Sequence, residues 1–393
     1  MPRLRLAVLL LLPALVATGC GRKFNTDESA APALVGPPSQ GRANLGFPEF
    51  ATKNTTRVPG SGATQIASAV LRAVYPDPAR RPDAITLVDG GDWRVAVAAA
   101  ALMAPPFNAP SLFTNGTDLP AATSSTLKAL APQGSAAAGN AQVIRIGNVA
   151  KPAGLKSSDV AGDTPFALTR SIAGLIRSAK PGKTSRVIVT SADDPSFAAP
   201  AAAYAAKSGD PVLFVTHAGV PPETRAALAA LAGLARPRIY VLGPSKVVTP
   251  KITQELRRLG RVKRVGGQDP VTNAIGMARF HDGAFGWGIV DPGHGAVFAR
   301  AGQPLEAAAA APLSGAGTFG PLLLLDSPDR VPQALQQYLL DIQPGFQQDP
   351  VRGVYNHGWI VGTGDAISVA EQARIDALLE IVPVRTPDAP PTP

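Results

Sequence analysis

The chemistry open to this chain begins with a run of cations. Between residues 246 and 264 stand Lys246, Lys251, Arg257, Arg258, Arg261, Lys263 and Arg264, facing a single acid, Glu255. Ile252, Leu256 and Leu259 mark an apolar helical stripe in the same stretch, so the cations fall on the outer face of a helix and on the turn after it. Such a face is either simply solvated or a contact surface for a polyanion. A second set of candidates sits in loops. Asp92 and Asp194 precede expected helix starts, where a carboxylate accepts hydrogen bonds from orphaned amides. Thr114 and Thr216 end expected strands, and hydroxyls beside free amides there suit sugar or phosphate oxygens as well as ordinary turns. Trp93, one of 3 tryptophans, is a candidate platform for a sugar ring or a rim residue packed between units.

Other chemistries have little to work with. His217, His281, His294 and His357 include no pair spaced for one helical face, which argues against a metal site. Asp291-Pro-Gly-His294 reads as a turn, and Gly90-Gly91 and Gly266-Gly267 lack the spacing of a dinucleotide loop. The expectation is a protein with no catalysis and no cofactor. The single cysteine, Cys20, excludes an internal disulfide and ends an unusual leader. Arg3 and Arg5 precede an apolar run, Leu6 to Val16, and Ala17-Thr-Gly lead up to Cys20. That is a secretory signal and too short to span a membrane, which takes about 20 residues.

The elements that must position these residues are strands and helices in alternation. Arg186 to Thr190, Pro211 to Thr216 and Arg238 to Gly243 read as strands, separated by an Ala-rich helix from Pro195 and a second helix from Pro221. The order is repeated upstream, with strands at Ile85 to Val88, Pro110 to Thr114 and Val143 to Gly147, and downstream at Gly295 to Ala299, Pro321 to Asp326 and Gly358 to Gly362. Pro110, Pro211 and Pro321 lie about a hundred residues apart, so the array has three domain-sized units. Short strands alternating with helices imply parallel sheets with helical crossovers, and ligands of such sheets settle at the carboxyl ends of the strands.

Ahead of the first strands, Arg57-Val-Pro-Gly-Ser-Gly-Ala-Thr64, Val160-Ala-Gly-Asp-Thr-Pro-Phe-Ala-Leu-Thr169 and Arg264-Val-Gly-Gly-Gln-Asp-Pro-Val-Thr272 share a pattern. With the aspartate-bearing loop, the proline-initiated strand and the third strand ending in Gly, the layout resembles the cell wall-binding repeat 2 family. The resemblance implies three tandem Rossmann-like or Toprim-like α/β modules in a pseudo-threefold arrangement. It also implies non-covalent attachment to an anionic wall polymer. The leader similarly resembles a bacterial lipoprotein signal, which implies lipidation of Cys20 and a membrane anchor.

The expected organisation is therefore a signal (1–19), a lipidated start and flexible tether (20–56), repeats at 57–155, 156–263 and 264–384, and a Pro-rich disordered tail (385–393). Hydrophobic residues make up 45% and charged residues 17%, enough for sizeable cores. The formal charge is +9. In an extracytoplasmic envelope location the fitting polyanion is a wall polymer or lipid headgroup in preference to nucleic acid. A ligand-binding lipoprotein of a transport system is the alternative, and it predicts two lobes around one deep cleft. An exported hydrolase would need a converged nucleophile and base.

Overall fold

The computed structural model describes residues 50–384 apart from 181, 183–184, 233–235 and 317–319. The expected signal, Cys20, most of the expected tether and the expected tail at 385–393 lie outside the described residues. In chain order, β1 (Phe50–Ala51) and β2 (Thr55–Val58) precede α1 (Ala63–Val74), β3 (Ile85–Asp89), α2 (Trp93–Ala99), β4 (Ser111–Thr114), α3 (Ala121–Leu130) and β5 (Val143–Ile146). The second unit runs β6 (Ser157–Val160), α4 (Pro165–Ala179), β7 (Arg186–Ser191), α5 (Pro195–Ser208), β8 (Val212–Val215), α6 (Pro222–Leu231), β9 (Arg238–Leu242) and α7 (Pro250–Leu259). The third begins with β10 (Arg261–Val265), α8 (Pro270–Arg279) and a hairpin of β11 (His281–Asp282) and β12 (Phe285–Gly286). It continues through β13 (Gly295–Arg300), α9 (Pro304–Gly315), β14 (Leu322–Leu325), α10 (Gln333–Asp341), β15 (Gly345–Phe346), β16 (His357–Val361), α11 (Val369–Leu379) and β17 (Val382–Pro383).

These form three equivalent parallel sheets, ordered β4-β3-β5-β6, β8-β7-β9-β10 and β14-β13-β16-β2. The expected mixed α/β class with repeated parallel sheets is the observed one. Sheet and sequence repeat are offset by one strand. The strand that leads into each unit, β6, β10 or β2, pairs with the third strand of another unit's sheet. For the third sheet that strand comes from the chain start, with Gly358 beside Thr55 and Val361 beside Val58. The array is thus closed by its N-terminal strand.

The same three positions hold the arrangement together. Burial of hydrophobic runs such as Val187–Val189 on both faces is what parallel sheets with helical crossovers require. At the end of each third strand, Gly147, Gly243 and Gly362 have positive φ of 76°, 120° and 93°, which glycine alone adopts without strain. The turn that follows is clamped by arginine. Arg57 of β2, 2% exposed, donates to the carbonyls of Gly362, Thr363 and Ile367 and to Gln372 Oε1 at 2.7–3.0 Å. Arg264 of β10 reaches the carbonyls of Gly243 and Val248 and the hydroxyl of Thr253. In the first sheet the polarity is reversed: Arg145 of β5 holds the carbonyls of Val149 and Ala150 and pairs at 2.8 Å with Asp159 of β6.

At the centre, α2 with the turn that follows it, α5 and α9 pack on one another. Residues 95–104, 197–206 and 307–314 are buried on every side, the pattern of a fully interior helix. Alanine is both the best helix former and small enough to let three helices meet. Their approach is close, since a Cβ on Gly315 would lie 2.8 Å from the carbonyl oxygen of Ala206. Among the described residues no helix is long and apolar enough to cross a membrane.

Candidate polymer-binding surface

The loops that open the central helices carry the acidic candidates, and local chemistry occupies them. Asp92 caps α2, accepting from the amides of Arg94 and Val95 and pairing with the Arg94 guanidinium at 2.7 Å. Trp93 is half-buried, with its ring edge-on to Phe214 of the second unit at 5.5 Å, so it packs between units. Asp194 makes no backbone cap. It accepts from the Ser191 hydroxyl at 2.8 Å and from the His217 ring at 2.6 Å, while the His217 amide donates to Asp193. Ser191 is fully buried and faces the carboxylate, with the imidazole beyond it, so the trio is not ordered as nucleophile and base.

Thr114 is also fully buried and donates to the carbonyl of Val88. Thr216 donates within its own turn to Gly219. That turn recurs at Asn115–Asp118 and Ser327–Arg330, each time just before the proline that leads into the next helix. No group of three His, Cys, Asp or Glu side chains is placed to hold a metal ion among the described residues.

The basic stretch is divided by the fold. Thr249 caps α7 and Pro250 starts it, and Ile252, Thr253 and Leu256 face inward. Lys251, Arg257 and Arg258 are then exposed, as is Lys246 in the preceding turn. Arg257 and Arg258 sit in the last turn, where the helix dipole favours cations. Residues 261–264, expected as a turn, are instead strand β10, which pairs along its length with β9. A strand's side chains alternate between faces, so Arg261 and Lys263 are exposed together while Arg264 turns inward to the clamp. Burial and neighbouring Arg257 hold the Arg264 guanidinium below its usual pKa. Of the seven cations, Arg264 is therefore internal and six are exposed. Glu255, the lone acid of the stretch, pairs with Arg225 at 3.0 Å and neutralises none of the six.

The surrounding unit amplifies this charge. Residues 156–263 hold 16 Lys and Arg against 7 Asp and Glu, whereas residues 264–384 hold 6 against 12. The sequence reading also missed three members of the cationic edge. Arg238 lies opposite Arg261 and Tyr240 opposite Lys263 in the β9–β10 register. Asp282, delivered by the hairpin of the third unit, pairs with Lys263 at 2.7 Å and accepts from the Tyr240 hydroxyl at 2.9 Å. Lys263 and Tyr240 hold its carboxyl below the usual range. Burial, then Asp282, push the Tyr240 phenol up to about 12. The Tyr240 ring is stacked 3.5 Å from Phe285, also of the hairpin, at an interplanar angle of 1°. Arg238, Tyr240, Arg261, Lys263 and Asp282 line a cleft of about 230 Å³.

No protein-family model matches the chain, and no curated protein does. Solved structures do. The fold is similar to that of Cwp6 and Cwp8 from Clostridium difficile. Cwp6 is 17% identical with a TM-score of 0.64, over 88% of this chain and 50% of its own. Cwp8 is 18% identical with a TM-score of 0.62, over 83% of this chain and 52% of its own. This chain thus spans about half the length of each. The similarity is one of fold, and it agrees with the tandem α/β repeat expected from the sequence layout.

Proposed function

We propose that this chain is a non-catalytic, envelope-associated protein that attaches non-covalently to an anionic cell-wall polymer. The observation that carries the reading is the exposure of six cations, Lys246, Lys251, Arg257 and Arg258 on α7 and the turn before it and Arg261 and Lys263 on the edge strand β10, in a fold shared with cell wall proteins. Of these, Lys263 alone makes an ion pair among the described residues. Such an edge attracts a polyanion over about a Debye length, roughly 10 Å at 0.1 M salt. The strand-end residues contribute to framework more than to contact, because Asp92, Asp194, Thr114 and Thr216 already have partners within the protein. Lipid on Cys20 would hold the same protein to the membrane, so that the body bridges membrane and wall.

The test is co-sedimentation of the protein, with Cys20 left unlipidated, with isolated cell wall before and after its anionic polymers are extracted. Retention that disappears on extraction is expected. Equal retention before and after, or none in either case, rejects the reading.

A further inference from the structure

Arg238 and Arg261 present an electrostatic arrangement that the fold does not need. They are register partners on adjacent parallel strands, so their side chains leave the same face of the sheet within one strand spacing of each other. Like charges so placed repel. Neither makes an ion pair among the described residues; Arg238 hydrogen-bonds Tyr240 and feels the field of Asp282, whose carboxylate is engaged by Lys263 and Tyr240. The other two sheets do without this arrangement. At the positions of Arg238 and Arg261 the first sheet has Gln142 and Lys156 and the third has His357 and Asn54. The wall opposite the arginines is also built with care for position. The hairpin that carries Asp282 is held over the sheet by Tyr204, which accepts from the Gly286 amide at 2.8 Å, and by Arg186, which donates to the Ala284 carbonyl at 3.1 Å.

We propose that the cleft between β10 and this hairpin is a subsite for one anionic group, a phosphate or a carboxylate, carried on a saccharide unit. The polymer reading above supplies the chain to which that unit belongs; the affinity of the cleft for a small anion does not depend on it. Two planar guanidinium forks side by side offer paired N–H donors to adjacent oxygens of one anion, and Lys263 offsets the carboxylate of Asp282 in the same lining. Arrival of the anion relieves the repulsion between Arg238 and Arg261. The size fits a single residue: about 230 Å³ holds several waters of about 30 Å³ each and falls below the roughly 300–1,000 Å³ of pockets for larger ligands.

The experiment is calorimetric titration of the whole protein, in low salt, with inorganic phosphate in one arm and glucuronate in the other. Saturable one-to-one binding of at least one is expected, and the arm that binds names the anion. Arg238→Ala and Arg261→Ala should each weaken it at least tenfold, Arg261→Lys less so, and the exposed Lys128→Ala and Arg352→Ala not at all. The substituted side chains are exposed, and an unchanged thermal midpoint will show that each variant folds. No saturable binding in either arm, or binding unaltered by both alanine variants, overturns the subsite. Wall retention without small-anion binding would break the subsite alone, and small-anion binding without wall retention would break the polymer reading alone.

Discussion

The second and third units share strand order, the buried central helix and even the arginine clamp, yet their surfaces carry opposite charge. Arg57 and Arg264 occupy matching positions on β2 and β10 and hold the turn after the third strand in the same way, through Gly362 and Gly243. In composition, 16 cations against 7 acids in residues 156–263 become 6, Arg264 included, against 12 in residues 264–384. An arginine in the lead-in strand is therefore part of the scaffold, whereas the cations one and three residues earlier, Lys263 and Arg261, are exposed. What the repeats hold in common is the fold, and what distinguishes one unit is its edge.

Removing the clamp tests this most severely. Arg57→Ala strips two buried carbonyls, the half-buried one of Thr363 and Gln372 of their donor and should cost about 3–5 kcal/mol, read as a lowered urea midpoint. Arg264 is only half-buried, so Arg264→Ala should cost about 1–3 kcal/mol. Equal losses would break the distinction between a closed ring seam and an ordinary one. At the centre, Ala202→Leu inserts volume where α5 is enclosed on all sides and should cost about 1–3 kcal/mol, with no effect specific to either charged surface. Thr224→Val removes a 2.6 Å hydrogen bond to the Phe214 carbonyl and should cost about 1 kcal/mol. The third unit has Leu335 at that position, so the same denaturation series would show how much the hydroxyl matters.

The smallest effect concerns pH. Burial holds the His357 imidazole below its usual pKa, partly opposed by Asp376. A depressed folded-state pKa means that the unfolded chain binds the proton more readily, so stability present above about pH 6.5 is lost as the pH falls through that range. His357→Asn should flatten that decline in thermal midpoint between pH 7 and pH 5.

Much of the fold was legible because strand and helix periods are local. Three strand triplets, their crossovers and the third-strand glycines could be read from residue order alone. The strand offset could not, because periodicity identifies β2 as a strand but not that its partner β16 lies some 300 residues away. The cationic edge was half legible. Apolar Ile252 and Leu256 placed Lys251, Arg257 and Arg258 correctly on an exposed helix face. Alternation in Arg261-Val-Lys-Arg264 is the signal that separates the exposed pair from Arg264, but so short a run after a helix fits a turn equally well. Asp282 and Phe285 come from the next unit, so their meeting with Tyr240 is a tertiary fact with no mark in the spacing.

The most direct test of wall attachment through the second unit is a sedimentation series with isolated wall, comparing the wild type with two charge variants. One reverses the edge as Arg257→Glu, Arg258→Glu, Arg261→Glu and Lys263→Glu, and the other neutralises Asp326, Asp329 and Asp341 of the third unit to Asn. Attachment through the edge predicts at least a tenfold loss for the first, about 1.4 kcal/mol or more, and release of the wild type by moderate salt. The second variant should bind as well as wild type. Retention of the first variant at wild-type level, insensitive to salt, would contradict it.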